Sequence, residues 1–284
     1  MNSAQKPASV SNEGLKQCCA RLYESDIVRL LLGDSFHPGG LKLTERLGQL
    51  LGLTGRSRAL DVASGAGASA LFLAERFGCE VIGLDYSKQN VEQANREAAH
   101  RGVSARVRFQ QADAESFPFP DASFDAVVCE CAFCTFPEKA RVAGEFARVL
   151  RSGGLAGISD LTRGPSLPKE LDGLLAWVAC IADAQPVEGY IGFLGSAGLS
   201  PEATELHNEA LLEMVRHVQT KLLGVEIMTG LKKLDLPGID LPAAKQMAKS
   251  ALSALQKGQL GYAVITARKK HGVMPQPNRC SAWL

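Results

Sequence analysis

The sequence has almost no net charge: 31 Lys and Arg stand against 30 Asp and Glu in 284 residues, a balance of +1. No Lys/Arg-rich run stands out either, so the electrostatic footprint of a nucleic-acid partner is missing. Also missing is any run of about 18 apolar residues, the length a membrane-spanning helix needs. The opening MNSAQKPASVSNEGL has no continuous apolar core of the kind an export signal carries. These absences lead us to expect a cytoplasmic protein with no membrane and no nucleic-acid partner, acting on a small or peptide-sized substrate. No internal repeat, low-complexity segment, Ser-His-Asp set or paired-carboxylate arrangement is evident, and nothing in the sequence chooses an oligomeric state.

What is present is enough apolar content, 46%, to build a full core. From Arg58 onward, short apolar runs alternate with helical periods. RALDVA, CEVIGLD, ARVRFQQ, FDAVVCE and GGLAGISD read as strands, and ALFLAERF, KQNVEQANREAAH and EKARVAGEFARVL as the helices between them. Such alternation predicts right-handed crossovers and a doubly wound, mostly parallel α/β sheet. Later come an apolar stretch, LDGLLAWVACIADA, a helix GYIGFLGSAG, two segments at helical period (ATELHNEALLEMVRHVQTKLLGVEIM and AAKQMAKSALSALQKG) and a last strand, GYAVITARKK. The expected organisation is an N-terminal arm and helical lid over residues 1–55, a main domain over 56–270 with a C-terminal helical insertion at about 208–258, and a loose tail over 271–284. The first 14 residues are polar and read as disordered.

ALDVASGAGASALFLAERF is a strand, a glycine turn and a helix, which brings backbone N–H groups and a helix N-terminus to a ligand. Asp85 ends the next strand, 20 residues after Gly65, where a carboxylate can accept ribose hydroxyls. Together they imply a nucleoside. A dinucleotide loop has the spacing G-x-G-x-x-G, whereas here Gly65 and Gly67 are followed by Ala70.

On these residues the chain resembles the class I S-adenosylmethionine-dependent methyltransferases. LDVASGAG is similar to their D-x-G-x-G-x-G loop, GLDYS to their ribose-binding acid, QADAESFPFPDASFDAV to their adenine segment and following strand, and FARVLRSGGLAGISD to the helix and fifth strand. Ala63 stands where the family has its first glycine. The resemblance implies a Rossmann-like fold and S-adenosyl-L-methionine as cofactor. It would place the methionine portion on Asp61, Ala63, Ser64, Gly65 and Gly67, the ribose on Asp85, the adenine beside Tyr86, Asp113 and Ala114, and Glu130 at the edge of the site.

Eight cysteines without a secretion signal fit a reducing compartment. Four readings of the Cys129-Glu130-Cys131…Cys134 group compete: a disulfide, a zinc site, ordinary core filling, and a grip on a soft atom. Its place beyond the carboxyl end of strand four favours the last. Here the sequence resembles a narrower family, the arsenite methyltransferases, through ECAFCTFPEK (Cys131), WVACIADAQPVEGYIGFL (Cys180) and KQCCARLYES (Cys18 and Cys19). That resemblance implies As(III) as substrate, held by Cys131, Cys180 and Cys19 or Cys18 with no structural metal, and a thiol reductant as co-reactant. The family's second cysteine just before the cofactor loop has no counterpart here, and neither does its Cys-rich C-terminal domain. The rival reading is a small-molecule O-, N- or C-methyltransferase with structural cysteines, for which Glu130, His37 or Tyr190 are candidate bases. A third class is a metalloid-binding protein without catalysis.

Overall fold

Five segments form parallel strands, four of them apolar enough to be buried on both faces and one, Val107–Gln111, pairing at the sheet edge with alternate residues exposed. They are β1 (Arg58–Val62), β2 (Glu80–Asp85), β3 (Val107–Gln111), β4 (Phe124–Glu130) and β5 (Leu150–Arg163). A computed structural model describes residues 11–24, 30–31, 33, 36–168, 171, 180–181, 183–230 and 240–270. The sheet is completed by β6 (Leu199–Leu206) and β7 (Leu260–Lys269), in the order β3-β2-β1-β4-β5-β7-β6. β7 runs antiparallel to both of its neighbours. The result is the doubly wound, mostly parallel sheet that the sequence predicts.

Eight helices are described: α1 (Asn12–Glu24), α2 (Gly40–Leu50), α3 (Ala68–Phe77), α4 (Lys88–His100), α5 (Lys139–Val149), α6 (Val187–Ser196), α7 (Asn208–Gly230) and α8 (Leu241–Gln256). Their ends follow local chemistry. The Ser87 hydroxyl accepts the Asn90 N–H at the start of α4, and the Asp240 carboxylate accepts that of Ala243 at the start of α8, each meeting one of the donors a helix start leaves unpaired. Gly78 ends α3 at φ 71°, the left-handed conformation that glycine adopts at least cost. The strand order reverses between β1 and β4, so the carboxyl ends of these two strands open a crevice.

The glycine loop has a support that the sequence pattern does not reveal. The Phe109 ring of β3 lies across Gly83 and Gly67, so a Cβ at Gly83 would meet ring carbons at 2.3 and 2.6 Å and the Ser64 hydroxyl at 2.7 Å. Gly83→Ala is therefore expected to destabilise the protein by about 1–3 kcal/mol through overpacking. Adding Phe109→Leu should recover part of the loss, which thermal denaturation of the single and double variants measures.

Two sequence expectations are corrected. The segment from Ala203 that reads at helical period begins as strand β6, and only from Asn208 is it helical. Hydrogen bonds from β7 decide this, because a short segment with alternate half-buried residues pairs equally well as an edge strand. At the other end, helix α1 starts at Asn12, within the stretch read as disordered. Its Leu15 is fully buried in the core, so tertiary packing holds a polar helix that is weak on its own. Helix α2 is an addition to the expected elements, with Leu43, Leu47 and Leu51 forming its buried stripe. The tail over 271–284, residues 1–10 and most of LDGLLAWVACIADA lie outside the described residues.

Candidate active site

The crevice at the β1/β4 switch is a cleft of about 1210 Å³ including its solvent-open part. Asp61, Ala63, Ser64 and Gly65 line one side, and Asp85, Tyr86, Asp113 and Ala114 the far end. Glu130, Cys131 and Cys19 also line it. Gly67 does not face the cleft; it caps α3 at φ 89° beneath the Phe109 ring.

Ala63 keeps the turn that a first glycine would make. Its φ is 58°, so the missing glycine is met by strain of roughly 1–2 kcal/mol rather than by a changed loop path. Backbone hydrogen bonds hold the loop in place: Ser64 N–H donates to Leu84 O and Gly67 N–H to Ser64 O, at 2.8 and 2.9 Å.

Asp85 is more committed than its position predicts. Oδ2 accepts the Gly65 N–H (2.8 Å), and Oδ1 accepts the Ser87 N–H (2.8 Å) and the Asn90 amide (3.3 Å). Of about four acceptor directions on a carboxylate, three are taken, which leaves one for a ligand donor. Burial raises its pKa against these hydrogen bonds.

Asp61 is the electrostatic centre of the cleft. It is 2% exposed, and its Oδ2 has no hydrogen-bond partner. Burial, then Glu130 and Asp85, push its pKa well above the usual carboxylate range. A buried, unpartnered carboxylate oxygen beside a glycine loop is the complement of a cationic ligand group, and the positively charged methionine ammonium of S-adenosylmethionine meets that requirement. The Ser64 hydroxyl is likewise buried without a partner.

Glu130 is tied to four elements of the surrounding protein. Oε2 accepts from Thr44 (2.9 Å) and Ser69 (2.6 Å) and lies 3.5 Å from His37 Nε2, while Oε1 accepts from Ser159 (3.3 Å). Tyr262 donates to Ser159 in turn, at 3.1 Å. With its oxygens so engaged, Glu130 is a cross-brace rather than a free base. His37 is buried in the same network, and Tyr190 is buried with its hydroxyl on Leu161 O (2.7 Å). Neither Tyr190 nor Glu130 is positioned as the base proposed for them.

Helix α1 runs along the cleft and lines it with Lys16, Cys19, Ala20 and Tyr23. Lys16 Nζ bridges Asp113 and Glu115 at 2.7 and 2.6 Å, Tyr86 donates to Glu13, and Ser87 donates to Glu24 at 2.5 Å. No local pattern foretells Lys16 or Tyr23 as cleft residues, because only the path of α1 over the sheet edge puts them there.

Four of the cysteines converge. Cys180 Sγ lies 3.3 Å from the Tyr23 hydroxyl and 3.2 Å from Cys131 O, and the Cys131 and Cys134 thiols are within hydrogen-bonding reach of it. Cys19 interacts with the same sulfur, and its own thiol is pushed up to about 12, mainly by burial. Cys18 does not line the cleft, and Cys129 is buried in β4. Cys131 and Cys180 both have left-handed backbones, φ 52° and 65°, a strain of roughly 1–3 kcal/mol each. Below them Asp160 accepts the Cys134 N–H at 2.9 Å and is raised to about 7, first by burial and then by Cys180. Among the described residues no group of three or more His, Cys, Asp or Glu is placed to hold a metal ion.

The profile described as a methyltransferase domain matches residues 60–158. The chain is 30% identical over 260 residues to the 27-O-demethylrifamycin SV methyltransferase of Amycolatopsis mediterranei, covering 86% of this chain and 93% of that one. It is 27% identical to methyltransferase GfsG of Streptomyces halstedii, covering 86% and 91%. In fold it is similar to the geranyl diphosphate C-methyltransferase of Streptomyces coelicolor A3(2), with a TM-score of 0.71 and 16% identity over 93% of this chain and all of that one.

Proposed function

The chain belongs to the S-adenosylmethionine-dependent methyltransferases, and from that premise we propose that it methylates a hydroxyl of a small organic molecule. One observation carries the choice of acceptor. Between the cofactor loop and α1 the cleft is walled by Ala20, Tyr23, Phe36, Ala132 and Phe136, with the Tyr23 and Phe36 rings 5.8 Å apart. Such a wall takes apolar, planar surface. The full-length likeness to an enzyme named for O-methylation of a demethylrifamycin supports the same reading.

The cofactor supplies an electrophilic sulfonium methyl. Under this proposal the protein's own groups do the rest. Asp61 takes the ammonium, Asp85 one ribose hydroxyl, and the cleft beside Tyr86, Asp113 and Ala114 the adenine. The braced Glu130 holds α2, α3 and β5 at fixed distance around the methionine end. The aromatic wall excludes water and orients the acceptor, and the proton released as the hydroxyl oxygen takes the methyl passes to His37, which lines the cleft 3.5 Å from Glu130, so catalysis is proximity and orientation with one proton acceptor.

A second reading keeps trivalent arsenic as acceptor, with a thiol reductant, and the convergence of Cys19, Cys131, Cys134 and Cys180 favours it. Against it, burial and mutual hydrogen bonding raise Cys131 and Cys134 well above the ordinary thiol range, and a cage needs several thiolates. One assay separates the two: S-adenosylmethionine labelled in its methyl, with 27-O-demethylrifamycin SV and simpler phenols in one arm and arsenite with excess thiol in the other. Labelled ether in the first arm and none in the second is expected. Labelled methylarsenicals, lost in Cys131→Ser and Cys180→Ser, would reverse the assignment.

A further inference from the structure

The sulfur cluster has no task in methyl transfer to an organic acceptor, yet it is the most unusual chemical grouping in the molecule. Groups that can donate to Cys180 Sγ are the Tyr23 hydroxyl, 3.3 Å away, and the Cys131 and Cys134 thiols that interact with it. As a thiol it donates to Cys131 O, 3.2 Å away. Its partner Cys131 forms part of the cleft wall, as does Tyr23, so a small reagent that enters the cleft reaches the cluster although Cys180 itself is only 2% exposed. Lys139, also buried, completes the surroundings and donates to Phe136 O at 3.0 Å and to Asp183.

We propose that Cys180 and Cys131 are a redox-active dithiol, oxidised by hydroperoxides to a disulfide in the wall of the cleft. The inference goes beyond the proposed methyl acceptor and does not depend on it. Three features make Cys180 the attacking sulfur. Hydrogen bonds from Cys131, then Cys134 and Tyr23, with the Lys139 charge nearby, hold its pKa well below the ordinary thiol value. The other three thiols of the cluster are raised. Cys131 is its immediate neighbour, with its carbonyl oxygen 3.2 Å from the Cys180 sulfur, which is the arrangement of an attacking and a resolving cysteine.

The Cys180 sulfur attacks the terminal oxygen of a hydroperoxide; an S–O bond forms, the O–O bond breaks, and the released alkoxide takes a proton to leave as an alcohol, or as water when the reagent is hydrogen peroxide. Cys180 is then a sulfenic acid. The Cys131 sulfur attacks it; the S–S bond forms, the S–O bond breaks, and hydroxide leaves as water with the proton of Cys131. Two thiols lose two electrons, and the hydroperoxide gains them.

The test uses the reduced full-length protein and hydrogen peroxide, read by alkylation under denaturing conditions and peptide mass mapping. A peptide pair linked through Cys131 and Cys180 is expected to form at least about tenfold faster than any oxidation of Cys79, a buried thiol pushed up to about 11 mainly by burial. It should disappear on adding dithiothreitol. Cys131→Ser should instead leave a sulfenic acid on Cys180 that dimedone traps, and Cys180→Ser should abolish both products. Binding of S-adenosylhomocysteine by each variant verifies that it is folded. The proposal is overturned if Cys131 and Cys180 oxidise no faster than Cys79, if the bridge joins another pair, or if Cys131→Ser yields no dimedone adduct while still binding S-adenosylhomocysteine.

Discussion

Asp61→Asn is expected to weaken S-adenosylmethionine binding on the order of 100-fold while making the ligand-free protein more stable. Both effects come from one atom. Oδ2 of Asp61 is buried without a partner, so the free protein bears an uncompensated acceptor that a cationic ligand group would satisfy. Losing a buried charge-assisted hydrogen bond removes roughly 2–5 kcal/mol, and about 1.4 kcal/mol is a factor of ten. In the free protein the amide is spared the cost of burying a charge, which is about 1–3 kcal/mol for an unsatisfied group. Its Oδ1 can keep the Ala70 backbone hydrogen bond.

The pH dependence gives the sign independently. Asp61, Asp85 and Asp160 all have folded-state pKa values raised above the ordinary carboxylate value, mainly by burial. Above about pH 4 the native chain thus binds more protons than the unfolded one, and stability falls as pH rises. For Asp160 the window runs from 3.8 to about 7, for at most about 4 kcal/mol. The wild type should melt at lower temperature at pH 8 than at pH 5, and the advantage of Asp61→Asn should grow over that interval. Calorimetric titration with S-adenosylhomocysteine, with thermal melts at the two pH values, checks all of this. Normal binding by the Asp61→Asn variant would remove Asp61 from the cofactor site.

The second large effect is expected at Glu130. Replacing it with Ala removes the acceptor shared by Thr44, Ser69 and Ser159 and leaves the His37 ring facing a void. The loss should be roughly 3–5 kcal/mol, the range for breaking a buried charged network by deleting one member. Glu130→Gln should fall between the two, because its amide oxygen still accepts while its NH2 meets hydroxyl oxygens that must turn. Urea unfolding measures the series. A change below about 1 kcal/mol for Glu130→Ala would mean that the three hydroxyls find other partners, and that α2 and α3 are not braced through this carboxylate.

The sheet and the glycine loop were legible in the amino-acid sequence because their causes are local. Parallel strands buried on both faces need unbroken apolar runs such as LDVA and VIGLD, the crossovers need helices between them, and the tight turn needs small residues at fixed spacing ahead of a helix. Position along the chain therefore brings Asp61, Asp85 and Asp113 to one cleft. What tertiary structure alone decided is what each group faces. Asp85 is already bound by its own loop, Glu130 is a brace, and β6 is a strand because β7 lies beside it. Helix α1, polar and weak by itself, is seated by Leu15 and the Lys16 ion pairs. The cysteines show the division most clearly. Their spacing places Cys131 and Cys134 beyond β4, but residues 49 positions apart, Cys131 and Cys180, meet only because β5 and the chain after it return to the same edge of the crevice. Burial and mutual hydrogen bonding there lower the pKa of Cys180 and raise those of its three neighbours, and no sequence spacing carries that information.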